Sequence, residues 1–90
     1  MTFLTENPSE LNPRSFRGAT WRAIVKVSKS KREFHAHDIL REMQLGGLGR
    51  LPTPQETSQI IRSFAQVENV GRRRVPNLNT LTIYRLRGVA

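Results

Sequence analysis

Thr53-Pro54-Gln55-Glu56-Thr57-Ser58-Gln59-Ile60-Ile61-Arg62-Ser63-Phe64-Ala65-Gln66-Val67 reads as one capped amphipathic helix. Thr53 suits the N-cap, because its hydroxyl can accept from a free backbone N–H of the first turn. Pro54 stands at the first helical position, where the missing N–H costs nothing. Glu56 completes a capping box and sets a carboxylate at the positive end of the helix. Thr57, Ile60, Ile61, Phe64 and Val67 recur at the spacing of one helical face. The other face carries Gln55, Ser58, Gln59, Arg62, Ser63 and Gln66. It holds long hydrogen-bonding side chains and no acid, which suits reading base edges and equally suits a solvated surface. The rest of the chain has to decide between the two.

Charge weighs on that choice. Fifteen Lys and Arg stand against seven acids, a formal net charge of +8. Two of the acids, Glu6 and Glu10, lie in residues 1–13, which hold no base, so the remainder of the chain is more basic still. A small domain of this kind points to a polyanionic partner, nucleic acid first. The simpler alternative is that the charge serves solubility. Ninety residues make one domain. With no cysteine there is neither a disulfide framework nor a thiolate metal site. No apolar run approaches the roughly 18 residues of a membrane span. The N-terminus lacks the basic and apolar regions of a secretory signal. A cytoplasmic protein is expected, or one acting in a host cell if viral, and not a secreted one.

Working outward from Thr53, the residues before it form a glycine-rich loop, Gly46 to Pro52. Before the loop, Ala36, Ile39, Leu40 and Met43 form the stripe of a helix over 36–45, with Asp38 in its first turn and Gly46-Gly47 ending it. Phe34 centres a short extended piece leading into that helix. Ser28 to Arg32 is a basic turn. A further helix starts at Ser15, a suitable N-cap, and carries Phe16, Thr20, Ala23, Ile24 and Val27 on one face. Trp21 and Val25 point away from that face, so the helix is apolar on two sides. Residues 1–13 read as an arm or tail, with Phe3, Leu4 and Leu11 as possible anchors onto the body, the domain proper being 14–90. Beyond Val67, Val70 to Val75 reads as a strand, Pro76-Asn77-Leu78-Asn79 as a turn, and Thr80 to Leu86 as a second strand with period-two alternation.

The order is helix, short strand, helix, helix, strand, strand. Together with Glu33-Phe34-His35-Ala36-His37-Asp38-Ile39 leading into the second helix, and an Arg-rich hairpin ending in Tyr84-Arg85-Leu86, it resembles the winged helix-turn-helix DNA-binding family over about residues 15–87. The resemblance implies an α+β, mainly helical fold: three helices, a small antiparallel sheet and a C-terminal hairpin wing over 70–86. One departure is the 46–52 loop, which is longer than the usual helix-turn-helix turn.

The resemblance also implies roles. Helix 54–66 becomes the recognition helix, with Gln55, Ser58, Gln59 and Arg62 as base-reading candidates. Gln pairs bidentately with adenine and Arg with guanine. Thr53, Arg50, Arg72, Arg73, Arg74, Lys29, Lys31 and Arg32 become candidates for phosphate or wing contacts. Alternation along the strand sets Arg72 and Arg74 on one side and Arg73 on the other. Trp21 and Val25 offer a dimer or partner surface, unless the chain itself covers them. His35 and His37 beside Asp38 lack the further ligands a metal needs; a capping role suits His35. No nucleophile constellation is present and no cofactor is expected.

The expected function is therefore sequence-specific binding of double-stranded DNA by a small transcriptional regulator, not an enzyme, with pairing into a homodimer to read two half-sites. A chain that is nearly all domain leaves no room for a ligand-sensing module, and neither a small-molecule ligand nor a membrane is expected. Two other classes fit the same residues: a winged-helix module that binds protein, and an RNA- or ribosome-associated basic protein.

Overall fold

The computed structural model describes residues 11–47 and 49–87. The first ten residues of the expected arm, with Phe3 and Leu4, lie outside the described residues, as do Leu48 and residues 88–90. The element order is α1 (Phe16–Ser28), α2 (Ala36–Leu45), α3 (Pro54–Arg62), β1 (Val67–Arg74) and β2 (Thr80–Leu86). This is an α+β, mainly helical architecture, compatible with a winged-helix layout.

Each helix begins at the cap its sequence announces. The Ser15 hydroxyl accepts from the Gly18 N–H at 3.0 Å. His35 caps α2: its Nδ1 accepts from the Asp38 N–H at 3.4 Å, and the Asp38 carboxylate accepts from the His35 N–H at 3.2 Å. Thr53 and Glu56 exchange the same pair of bonds at 3.1 and 2.9 Å. Gly47, at φ 85°, takes the left-handed conformation that ends α2.

The helices pack around Ile24, Ile39 and Ile61, each with no exposed surface. Thr20 and Thr57 are buried with them. Each returns its hydroxyl to the carbonyl four residues back, Phe16 at 2.6 Å and Thr53 at 2.8 Å, so neither leaves a buried donor unpaired. Before α1, Leu11 packs against the core. The Asn12 carbonyl lies where a side chain at Gly18 would stand, so only glycine permits this approach.

The sheet is an antiparallel pair, with Val67 opposite Leu86 and Arg74 opposite Thr80. Phe34 joins it as an isolated bridge on Tyr84: each N–H donates to the other's carbonyl, at 2.9 and 2.8 Å. The expected extended piece at Phe34 is therefore present, and β2 is bonded on both edges there. An irregularity between Asn69 and Gly71, where Gly71 stands at φ 134°, shifts the register within β1.

Two boundaries differ from the sequence expectation. α3 ends at Arg62 and not at 66 or 67. Ser63 closes it, its N–H donating to the Gln59 and Ile60 carbonyls, and the Arg17 guanidinium donates to the Ser63 hydroxyl. β1 starts at Val67, three residues before the expected hairpin limit. Pairing with Leu86 and Arg85 draws Val67 and Glu68 into the sheet, with Glu68 bonded to the Arg85 guanidinium. Phe64 is buried as expected, but from the turn after the helix.

Candidate nucleic-acid interface

The candidate surface is built on α3. Its capping box fixes the first turn, and Ile61 and Thr57 hold it to the core. Gln55, Gln59 and Arg62, four and three residues apart, are exposed along one face. Among the described residues, Arg62 has no ion-pair partner.

Ser58 is different. It is half-buried, and its hydroxyl bonds the hydroxyl of Tyr84, which is 1% exposed. The side chain that looked free to read a base ties α3 to β2. Tyr84 is not legible in the sequence as its partner; there it is an aromatic of the strand run and part of the hairpin's Tyr84-Arg85-Leu86 ending. Thr53 is likewise engaged: its oxygen accepts from Glu56 and its N–H is bonded, which leaves the hydroxyl proton as its one free donor.

The wing arginines separate by their partners. Arg73 reaches across β2 to Glu33, at 2.9 Å, so it is an ion-paired side chain and not a free cation. Glu33 precedes the Phe34 bridge on the far edge of β2, which is what brings the two together. Arg72 and Arg74, exposed, pair with no acid among the described residues. At the tip, Asn77 takes φ 66°, the left-handed conformation Asn tolerates, and the Leu78 N–H closes the turn onto the Val75 carbonyl at 3.0 Å. Below the wing, the Arg85 guanidinium bonds Glu68, holding that carboxyl below its ordinary range and removing a free acid from the hairpin.

The remaining cations are dispersed. Arg50 is exposed in the loop before α3, unpaired among the described residues. Lys31 is paired with Asp38 at 3.0 Å and so belongs to the cap of α2. Arg32 is exposed beside it. Lys29 borders a groove between α1 and the end of α2, to which no described residue of α3 contributes. His35 lies at that same cap. Burial holds its imidazole below the ordinary value, and Lys31 and His37 act in the same direction against the pull of Asp38.

Trp21 has a neighbour in its own chain. Its ring packs on Phe64, centroids 5.2 Å apart, and Arg17 covers Phe64 with its guanidinium carbon 4.4 Å from the ring centroid. Trp21 is nevertheless half-buried only, and with Val25 it lines the same groove. Among the described residues, no three His, Asp or Glu side chains converge as metal ligands, and no helix is long and apolar enough to cross a membrane. Neither a family model, a characterised protein nor a solved structure matches the chain.

Proposed function

We propose that the protein binds double-stranded DNA in a sequence-specific manner, as a small transcriptional regulator with α3 in the major groove and the β1–β2 hairpin as its wing. One observation carries this reading. A doubly capped helix presents Gln55, Gln59 and Arg62 on one exposed face, and the hairpin that follows it presents two cations, Arg72 and Arg74, without acid partners among the described residues. Gln and Arg match the acceptor and donor patterns of adenine and guanine edges. Arg72, Arg74 and Arg50 supply phosphate contacts, which position the helix without reading sequence. Ser58 takes no part in the readout; it fixes the tilt of α3 through Tyr84.

Selection of bound duplexes from a random pool tests the proposal. Enrichment of a defined site supports it, and a palindrome would mark binding as a homodimer. Retention of random sequence with no enrichment would leave only charge-driven binding, and preference for structured RNA over duplex competitors would overturn it.

A further inference from the structure

The groove between α1 and the end of α2 has a volume of about 920 Å³, and no described residue of α3 or the hairpin lines it. Leu11, Trp21 and Val25 supply apolar lining. Arg14, Arg22 and Lys29 line it as well, exposed and without an acid partner among the described residues. The one acid among the described lining residues, Glu42, is neutralised by Lys26 at 3.1 Å. Leu45, which precedes the lining residues Gly46 and Gly47 in the chain without lining the groove itself, is 73% exposed, the most exposed large apolar side chain among the described residues. An apolar floor beside cations that lack acid partners among the described residues has a complementary ligand: apolar anchors flanked by carboxylates.

We propose that this groove docks a short acidic peptide segment of a partner protein, with Leu or Phe anchors set among Asp and Glu. Charge complementarity selects this occupant. A second copy of the chain meeting groove to groove would bring the same cations against Arg14, Arg22 and Lys29, and like charges across an interface oppose docking. A duplex would meet the cations but could not fill the apolar floor. The volume suits a few large side chains, within the usual range of pockets that bury a ligand. Apart from Lys29, which the sequence also offers as a phosphate contact, the lining residues are not those assigned to DNA, so this inference does not depend on that reading.

Trp21 is the chain's single tryptophan, so tryptophan emission reports one ring, which lines this groove and packs on Phe64. The test titrates the full-length protein with a blocked synthetic peptide, Glu-Leu-Asp-Phe repeated in tandem, and with a counterpart carrying Lys for every acid. The acidic peptide should shift Trp21 emission to shorter wavelength and saturate. Its affinity should fall about ten-fold on raising salt, as screening of charge pairs requires. Arg22→Glu and Val25→Asp should each weaken it about ten-fold or more, the loss expected for an anchoring contact, with far-UV dichroism unchanged. Should Val25→Asp disturb the fold, Arg22→Glu still decides the matter. Equal response to the Lys peptide, or no response to the acidic one, overturns the proposal. So does an equal shift from a duplex, self-association that Val25→Asp abolishes, or a response that requires removal of residues 1–10, each of which assigns the groove to another occupant.

Discussion

The hydroxyls of Ser58 on α3 and Tyr84 on β2 share a hydrogen bond that couples the candidate reading helix to the strand at the root of the wing. The two partners are not equivalent. Ser58→Ala leaves the buried Tyr84 hydroxyl without a partner, at a cost of about 1–3 kcal/mol, whereas Tyr84→Phe leaves only a half-buried serine that water can reach, at about 0.5–1.5 kcal/mol. Urea denaturation should therefore rank Ser58→Ala as the more damaging. The reverse order would mean that the tyrosine hydroxyl has another partner.

Loss of a base contact should be visible only on the right sequence. Arg62→Ala and Gln59→Ala should each weaken binding to a selected site by about ten-fold, within the 1–3 kcal/mol of a bidentate pair, and leave random duplexes unchanged. Gel shifts on both duplexes check this, and unchanged affinity for the two sinks the assignment of α3.

The wing arginines should divide by partner and not by position in the run. Arg72→Ala and Arg74→Ala should weaken every duplex and lower the slope of log affinity against log salt by about 0.9 each. Arg73→Ala should have a smaller effect, because Glu33 already holds that guanidinium. Glu33→Gln, which frees it, should raise affinity for all duplexes.

Gly18→Ala should destabilise the fold by about 1–3 kcal/mol, as overpacking does, because its Cβ would overlap the Asn12 carbonyl oxygen. Gly46→Ala is the control: its Cβ would come no nearer than 3.4 Å to the Glu42 carbonyl oxygen. Thermal melts of the two variants compare them directly.

Stability should fall in mild acid. Burial lowers the pKa of His35 in the folded chain, so the unfolded chain binds more protons below its ordinary value of about 6.5. Its contribution is fully present above that value and is lost as pH falls from it toward the folded pKa. Protonation would also remove the Nδ1 acceptor that caps α2. His35→Asn keeps a capping side chain without a titration, so the fall in denaturant midpoint between about pH 7.5 and about pH 5 should shrink in that variant.

Local chemistry was legible in the sequence and long-range pairing was not. The caps at Ser15 and Thr53, the span of α2 and the limits of β2 follow from neighbours within a few residues. Val67 continues the apolar period of α3, yet it serves as a strand because Leu86 stands opposite, and helical spacing carries no trace of that residue. The same blindness affected the candidate site. Gln55, Gln59 and Arg62 are exposed as helical spacing implies. Ser58, Arg73 and Lys31 qualify as contact candidates by sequence because only the sheet and the cap bring Tyr84, Glu33 and Asp38 to them. Phe64 covering Trp21 belongs to the same class.

The Phe34–Tyr84 bridge joins the helical part of the chain to the hairpin through backbone groups. The hairpin can close by itself through its short turn, but the bridge needs Phe34 to meet a residue near the far end of the chain, and contacts so distant in sequence slow folding because loop closure precedes their reward. Neither the helices nor the hairpin is thus a self-sufficient fragment. Removing the hairpin would strand the backbone N–H and carbonyl of Phe34, whose side chain is 1% exposed, so the wing acts as a wall of the core and its integrity is a condition for the helices' own.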